Sequence, residues 1–279
     1  MMTTPRVVGA IISQTFKESI RAKWLIMFTI VYFLVTINVP FLVLIIERLL
    51  PPATLNSYLV YLGTTSYPFL PLLSLPLGAL TIVEEKESGT LQYLLSNPIS
   101  RMQFLAGRFI GLTVSTSMVL AAGYLISLLV AANVRASVIN GLFFIVLLSL
   151  GLNIIMLSVA IIISTMSRRK VTALSVAIFL WFLLVLISDF GGSFGVILTI
   201  ANGTKVALVA ALLNPIESAG LISEIHLNAY GSELIGTGEI IENSFGAANG
   251  LYIMSLGLLL WGILAMGLMI ILFKFVDLV

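Results

Sequence analysis

Covalent chemistry in proteins draws on nucleophiles, metal ligands and phosphate cradles, and this sequence is poor in all three. It has no cysteine and a single histidine, His226. Thiol nucleophiles, disulfides, zinc ribbons, iron–sulfur ligation and histidine-centred triads are thereby excluded. His226 with Glu224 could touch a metal, and Met118, Met156, Met254, Met266 and Met269 are soft enough for copper(I). A lone histidine is more often a surface residue, however, and scattered methionines more often fill apolar gaps. We assign no metal site and no catalytic residue. No G-x-x-x-x-G-K-S/T occurs, so the chain lacks the usual loop for cradling ATP phosphates. Gly191-Gly192-Ser193-Phe194-Gly195 has no lysine and reads as a flexible turn.

One segment does concentrate charged and turn-forming residues. Glu84–Arg108 reads EEKESGTLQYLLSNPISRMQFLAGR, a polar insert of 25 residues between two apolar runs. Gly89 interrupts it, and Thr90 to Ser96 can form a short helix with Leu91, Leu94 and Leu95 on one side. Pro98 keeps Asn97 out of helical geometry, so the chain turns there. Ser100 and Gln103 have capping-box spacing, with Ile99 and Phe104 placed as a hydrophobic staple. A plain connection between bundled helices takes about 2–8 residues. Two readings stand: a rigid, apolar-faced helix that docks a cytoplasmic partner, or an interfacial helix lying under its own bundle. Glu84, Glu85 and Glu87 could pair with basic residues of a partner or be balanced by Lys86, Arg101 and Arg108. Arg168-Arg169-Lys170 could be a second contact or a topology anchor facing lipid headgroups.

The elements that carry this insert follow from composition. Of 279 residues, 59% are hydrophobic and 9% charged, where an average soluble domain is roughly a quarter charged. Mean hydropathy is +1.15. Such a chain is an integral membrane protein, and its mild net charge of +2 gives no reason to expect nucleic acid. A spanning helix needs about 20 apolar residues, and six runs qualify: Trp24–Ile46, Leu59–Val83, Phe109–Ala132, Val138–Thr165, Val171–Ser188 (short, and expected to continue past Asp189) and Leu251–Phe273. The first 23 residues lack the apolar core and cleavage site of a signal peptide, so Trp24–Ile46 reads as a retained span. Lysines and arginines divide 11 to 3 between the two sides, which predicts cytoplasmic termini in a plasma membrane.

Residues 5–23 suit an interfacial helix, with Val8, Ile12, Phe16 and Ile20 recurring every fourth position. Residues 189–250 form a longer region on the outer side, whose Val206–Leu213 is apolar but too short to span. It either dips into the outer leaflet or caps the bundle. No ionisable residue lies near the middle of a span, which weighs against ion-coupled transport. Pro68, Pro71 and Pro76 could hinge span two along a transport path or be tolerated kinks. Ser115, Thr116, Ser149, Asn153 and Ser158 could line that path or pack helices together.

The run E-x-x-x-G-T-L-x-x-L-L-x-x-P-I-S-R followed by Gly107-Arg108 resembles the hallmark of ABC-2 type permeases, the six-span subunits of ATP-binding-cassette exporters. It is carried here by Glu85, Gly89, Thr90, Leu91, Leu94, Leu95, Pro98, Ile99, Ser100, Arg101, Gly107 and Arg108. Within that family the chain is most similar to the NosY-type permeases of nitrous-oxide-reductase maturation. Phe16–Trp24, Trp181–Asp189 and Leu212-Leu213-Asn214-Pro215 carry this closer likeness, while Ser218-Ala219-Gly220 departs from it. The resemblance implies an all-α, polytopic fold occupying residues 1–279 as one domain. Its parts would be an elbow helix (5–23), six transmembrane helices, a cytoplasmic coupling helix region (84–108) and an extracytoplasmic helical region between spans five and six (189–250). It implies a homodimer with two copies of a separate ABC ATPase, which holds the ATP and magnesium; this chain itself needs no cofactor and is not an enzyme. Glu84, Glu85, Glu87, Gly89, Thr90, Leu91, Leu94, Leu95, Pro98, Ser100 and Arg101 would then couple to that ATPase. Asn214, Pro215 and Glu217 would face an extracytoplasmic accessory protein, and Pro68, Pro71, Pro76 and Asn153 the translocation path. The substrate implied is a sulfur- or copper-containing species for a metalloenzyme; lipid, peptide or drug export fits the wider family. A non-transporting scaffold that passes ATPase motion to an outside partner is the alternative of another class. An intramembrane hydrolase is discounted, because there is no cysteine and the sole histidine lies in the outer region.

Overall fold

A backbone surrounded by hydrocarbon must satisfy its own N–H and C=O groups, which for runs of this length leaves the helix as the available form. The computed structural model describes residues 4–49, 55–91, 99–130, 136–198, 203–227 and 237–275. Among them regular structure is helical throughout: α1 (Thr4–Arg21), α2 (Lys23–Leu49), α3 (Leu55–Ser66), α4 (Phe69–Glu87), α5 (Arg101–Val130), α6 (Ala136–Met166), α7 (Lys170–Leu198), α8 (Gly203–Leu213), α9 (Pro215–Leu227), α10 (Thr237–Phe245) and α11 (Ala247–Phe275). Six stretches are long and apolar enough to cross a membrane: Lys23–Phe41, Tyr58–Glu87, Arg101–Leu129, Asn140–Met166, Lys170–Ser188 and Ala247–Phe275. They coincide with the six expected spans. The fifth does continue past Asp189, as helix to Leu198.

Span two is the centre of the bundle, with 72% of its apolar window buried against 17% for α7 and for α11. Its two halves meet at a bend. Pro68 has no N–H to give the preceding turn, and the chain passes from α3 to α4 there. The Pro68 carbonyl instead accepts the Trp181 indole N–H at 2.8 Å, fixing the bend to α7. Below it, α4 lies against α6 with little between them: a Cβ on Gly78 would come within 2.5 Å of the Ala160 methyl. Small residues at such a crossing let two backbones approach. One turn further on, the Ser164 hydroxyl accepts the Ile82 and Val83 N–H groups, both at 2.9 Å.

A second apolar cluster joins α8, α9 and α10 to span six. Ala211, Leu221, Ile222, Ile225 and Ile241 pack with Met254 and Leu258 of α11 and Ile155 of α6. The helices on either side of Asn214 are held to spans five and six by polar contacts. The Leu212 carbonyl accepts the Trp261 indole N–H at 3.0 Å, and the Asn214 amide donates to the Leu184 carbonyl at 2.7 Å. At ~1.5 Å per residue, both anchors lie about 20 Å along their helices from Lys274 and Lys170. The α8–α9 turn therefore lies against the middle of α7 and of α11.

Candidate coupling site

The polar insert begins where α4 ends. The Ser88 N–H bonds the Glu84 carbonyl (3.0 Å) and the Gly89 N–H the Lys86 carbonyl (3.2 Å), closing the helix. Gly89 has φ +73°, and a Cβ there would meet nothing. It is the backbone sign, not crowding, that selects glycine at this helix end. Helical residues resume at Thr90, whose hydroxyl lies 2.7 Å from that of Ser88. Leu91 is fully buried, at 1% exposure, so its side chain belongs to the core of its own bundle. Leu94, Leu95 and Pro98 fall outside the described residues. The chain re-enters through the expected capping box: the Gln103 N–H donates to the Ser100 hydroxyl (3.2 Å), and the Ser100 N–H to the Gln103 side-chain oxygen (3.0 Å).

Both ends of the insert are then tied inward. Arg108, one helical turn into α5 beyond Phe104, is buried and forms ion pairs with Glu85 of α4 and Glu18 of α1, with Thr15 3.4 Å away. Its guanidinium also sits 5.6 Å from the centre of the Phe104 ring. Access for α1 depends on glycine: a Cβ on Gly107 would lie 2.6 Å from Ile11, and one on Gly111 2.6 Å from Thr15. The packed face of α1 thus runs through Ile11, Thr15 and Ser19, while Ile20 of the expected apolar stripe stays 45% exposed. On its other side the start of α5 meets α11. The Arg101 guanidinium donates to the Lys274 carbonyl (3.4 Å), and the Phe104 and Phe273 rings stack at 6.2 Å.

The three glutamates of the motif have three different surroundings. Glu84 is exposed. Glu85 is spent on Arg108, with its second oxygen buried and unpartnered among the described residues. Glu87 accepts the Lys170 N–H at 2.9 Å, capping the start of α7. Between them Lys86 donates to the Thr165 and Ser167 carbonyls (2.6 and 3.3 Å) at the end of α6. Glu85, Lys86 and Glu87 thus bind the end of span two to spans three, four and five. Sequence reasoning had Arg108 in the motif but gave Glu18 no partner. The signal available was Gly107 and Gly111, a small-x-x-x-small pair flanking Arg108 that invites a second helix.

Residues assigned to other roles lie elsewhere. Asn153 is completely buried, accepting from Ser74 at 2.5 Å and donating to Thr116 at 2.8 Å, so it joins α4, α6 and α5. Pro68 marks the bend, while Pro71 and Pro76 are buried in α4. Asn214 caps α9, its side-chain oxygen accepting the Ile216 N–H at 3.0 Å, with Pro215 at the first helical position. Both are buried, and Glu217 accepts the Ser188 hydroxyl. His226 stacks on Phe144 with ring centres 3.9 Å apart. Met156, Met254 and Met269 are core residues; Met118 is exposed.

Three resemblances to known proteins accompany this geometry. A family model described as "ABC-2 family transporter protein" matches residues 10–278. A protein of Pseudomonas aeruginosa named "Probable ABC transporter permease protein NosY" is 27% identical over 188 residues, 66% of this chain and 68% of that one. A Stutzerimonas stutzeri protein of the same name is 26% identical over 187 residues, 65% of this chain and 68% of its own length.

Proposed function

The chain belongs to the ABC-2 transporter family and is a multi-pass permease subunit of an ATP-binding-cassette transporter, and from that premise we propose that residues 84–108 are its lever for a separate ATPase. One observation carries this reading: Arg108 joins the two ends of the insert to each other and to α1. A segment pushed from outside the membrane transmits force only if its ends are fixed, and here both are. Closure of two ATPases on nucleotide would tilt span two, span three and the elbow helix together as one body. The 11 to 3 division of basic residues supports cytoplasmic termini and a cytoplasmic insert. The working unit is a homodimer with two ATPases, exporting its substrate.

The likeness to NosY permeases supports a place in maturation of a copper metalloenzyme such as nitrous-oxide reductase. Co-expression with a candidate ABC ATPase of the same organism tests the coupling reading. Wild type should co-purify that subunit and stimulate its hydrolysis, whereas Glu85→Ala/Arg108→Ala should remain inserted and lose stimulation. A double variant with wild-type stimulation defeats the lever. The maturation role predicts that deletion of the gene leaves the copper enzyme incompletely metallated; a fully loaded enzyme in the deletion strain rules it out.

A further inference from the structure

The corner where α6 turns into α7 adjoins the coupling region without being used by it. Between the last turn of α6 and the first two turns of α7 lies an open cavity of about 600 Å3. One wall is apolar, built by Ile162, Ile163, Met166 and Val176; the other carries Arg168 and Arg169, with Thr172 nearby. Among the described residues neither arginine has an acidic partner, since both ion pairs there belong to Arg108. Of the acids at the end of α4, Glu85 pairs with Arg108, Glu87 accepts the Lys170 N–H and Glu84 is exposed. Lys86 adds a further positive charge, on which Arg168 acts as a like charge. An apolar strip leads away from this corner: Met166 is 66% exposed, Val176 44% and Phe179 65%. It runs up the stretch of α7 that is apolar enough to cross the membrane.

Two guanidinium groups above a hydrocarbon-facing strip fit a molecule with an anion at one end and an acyl chain at the other. We propose that this corner binds an anionic phospholipid, with its phosphate between Arg168 and Arg169 and its chain along Met166, Val176 and Phe179. Guanidinium forks match phosphate oxygens bidentately, and basic pockets between transmembrane helices at headgroup level hold such lipids. The apolar wall favours lipid over an acidic protein surface, which would leave that wall uncovered. The site goes beyond the coupling reading and stands on its own residues. It also touches the lever, because Lys86 and Glu87 bond the same α6–α7 turn just before Gly89.

Native mass spectrometry of the purified full-length chain, stripped of lipid and titrated with phosphatidylglycerol or phosphatidylcholine, tests the proposal. Wild type should hold phosphatidylglycerol about tenfold better, the scale of one charge-assisted contact. Arg168→Gln/Arg169→Gln should lose that preference. Val176→Trp, which fills the cavity without changing charge, should lose it too, while excess inorganic phosphate should leave wild-type lipid bound. Equal retention of the two lipids by wild type, or an undiminished preference in both variants, overturns the site. If the double arginine variant keeps its lipid preference but releases the ATPase, the corner is an ATPase contact instead. Lys86, Arg101 and Lys170 preserve the basic balance of this end in that variant, and its melting temperature in detergent controls for folding.

Discussion

Arg108 is the residue that ties this end of the bundle together. A guanidinium buried between two carboxylates is tolerated because each charge answers another, and removing one partner leaves the rest unpaired. Arg108→Ala should lower unfolding stability in detergent by about 3–5 kcal/mol, whereas Glu18→Gln, whose side chain is half exposed, should cost roughly 0–1 kcal/mol. Chemical denaturation of both variants checks the order; equal losses would mean that Glu85 is not the principal partner. Gly89 makes a separate prediction. Its positive φ costs any residue with a Cβ about 1 kcal/mol, so Gly89→Ala should insert normally yet uncouple more of the ATPase stimulation than its small stability loss explains. Ser100→Ala should lose about 0.5–2 kcal/mol through the broken cap, measured the same way.

At the scale of elements, the structure separates what hydropathy can show from what it cannot. The six long runs, the turn at Gly89 and the box at Ser100 and Gln103 were legible because each depends on residues close in sequence. The Glu18–Arg108–Glu85 cluster was not, since its partners are 90 and 23 positions apart and only helix packing brings them together. The α8–α9 hairpin was half legible: its apolar stretch showed, but each helix is too short to announce a depth. What holds it is polar. The Asn214 side chain both caps α9 and reaches the Leu184 carbonyl, so the turn carries its own hydrogen bonds into the packed interior. Asn214→Ala should cost about 1–3 kcal/mol and increase protease access to the α8–α9 region. Gly107→Leu should act at the other end by wedging α1 off α5, with loss of ATPase stimulation and little change in the other spans. A variant that kept full stimulation would show that α1 is not part of the moving body.

The whole molecule is centred on span two and open at its edges. α7 and α11 bury little of their surface, and Phe179, Leu183 and Ile187 project from α7 at 65%, 39% and 40% exposure. In a homodimer one such face meets its copy while the other meets lipid. The absence of native cysteine makes the distinction direct to measure. Leu183→Cys or Ile187→Cys should cross-link between copies on oxidation in membranes, and Leu184→Cys, buried at 8%, should not. If a cysteine at Ile263 or Leu264 of α11 cross-links instead, span six is the contact.

The hairpin between spans five and six also dictates an order of assembly. Its turn leans on Leu184, already made when the turn emerges, and on Trp261, which is synthesised 47 residues after Asn214. Until α11 arrives, the Leu212 carbonyl lacks its indole partner and the cluster around Ala211 and Ile222 lacks half of its wall. Biogenesis of this half of the molecule is therefore a late event that waits for the last helix. A nascent chain halted before Trp261 would carry five inserted spans and a hairpin with nowhere to settle.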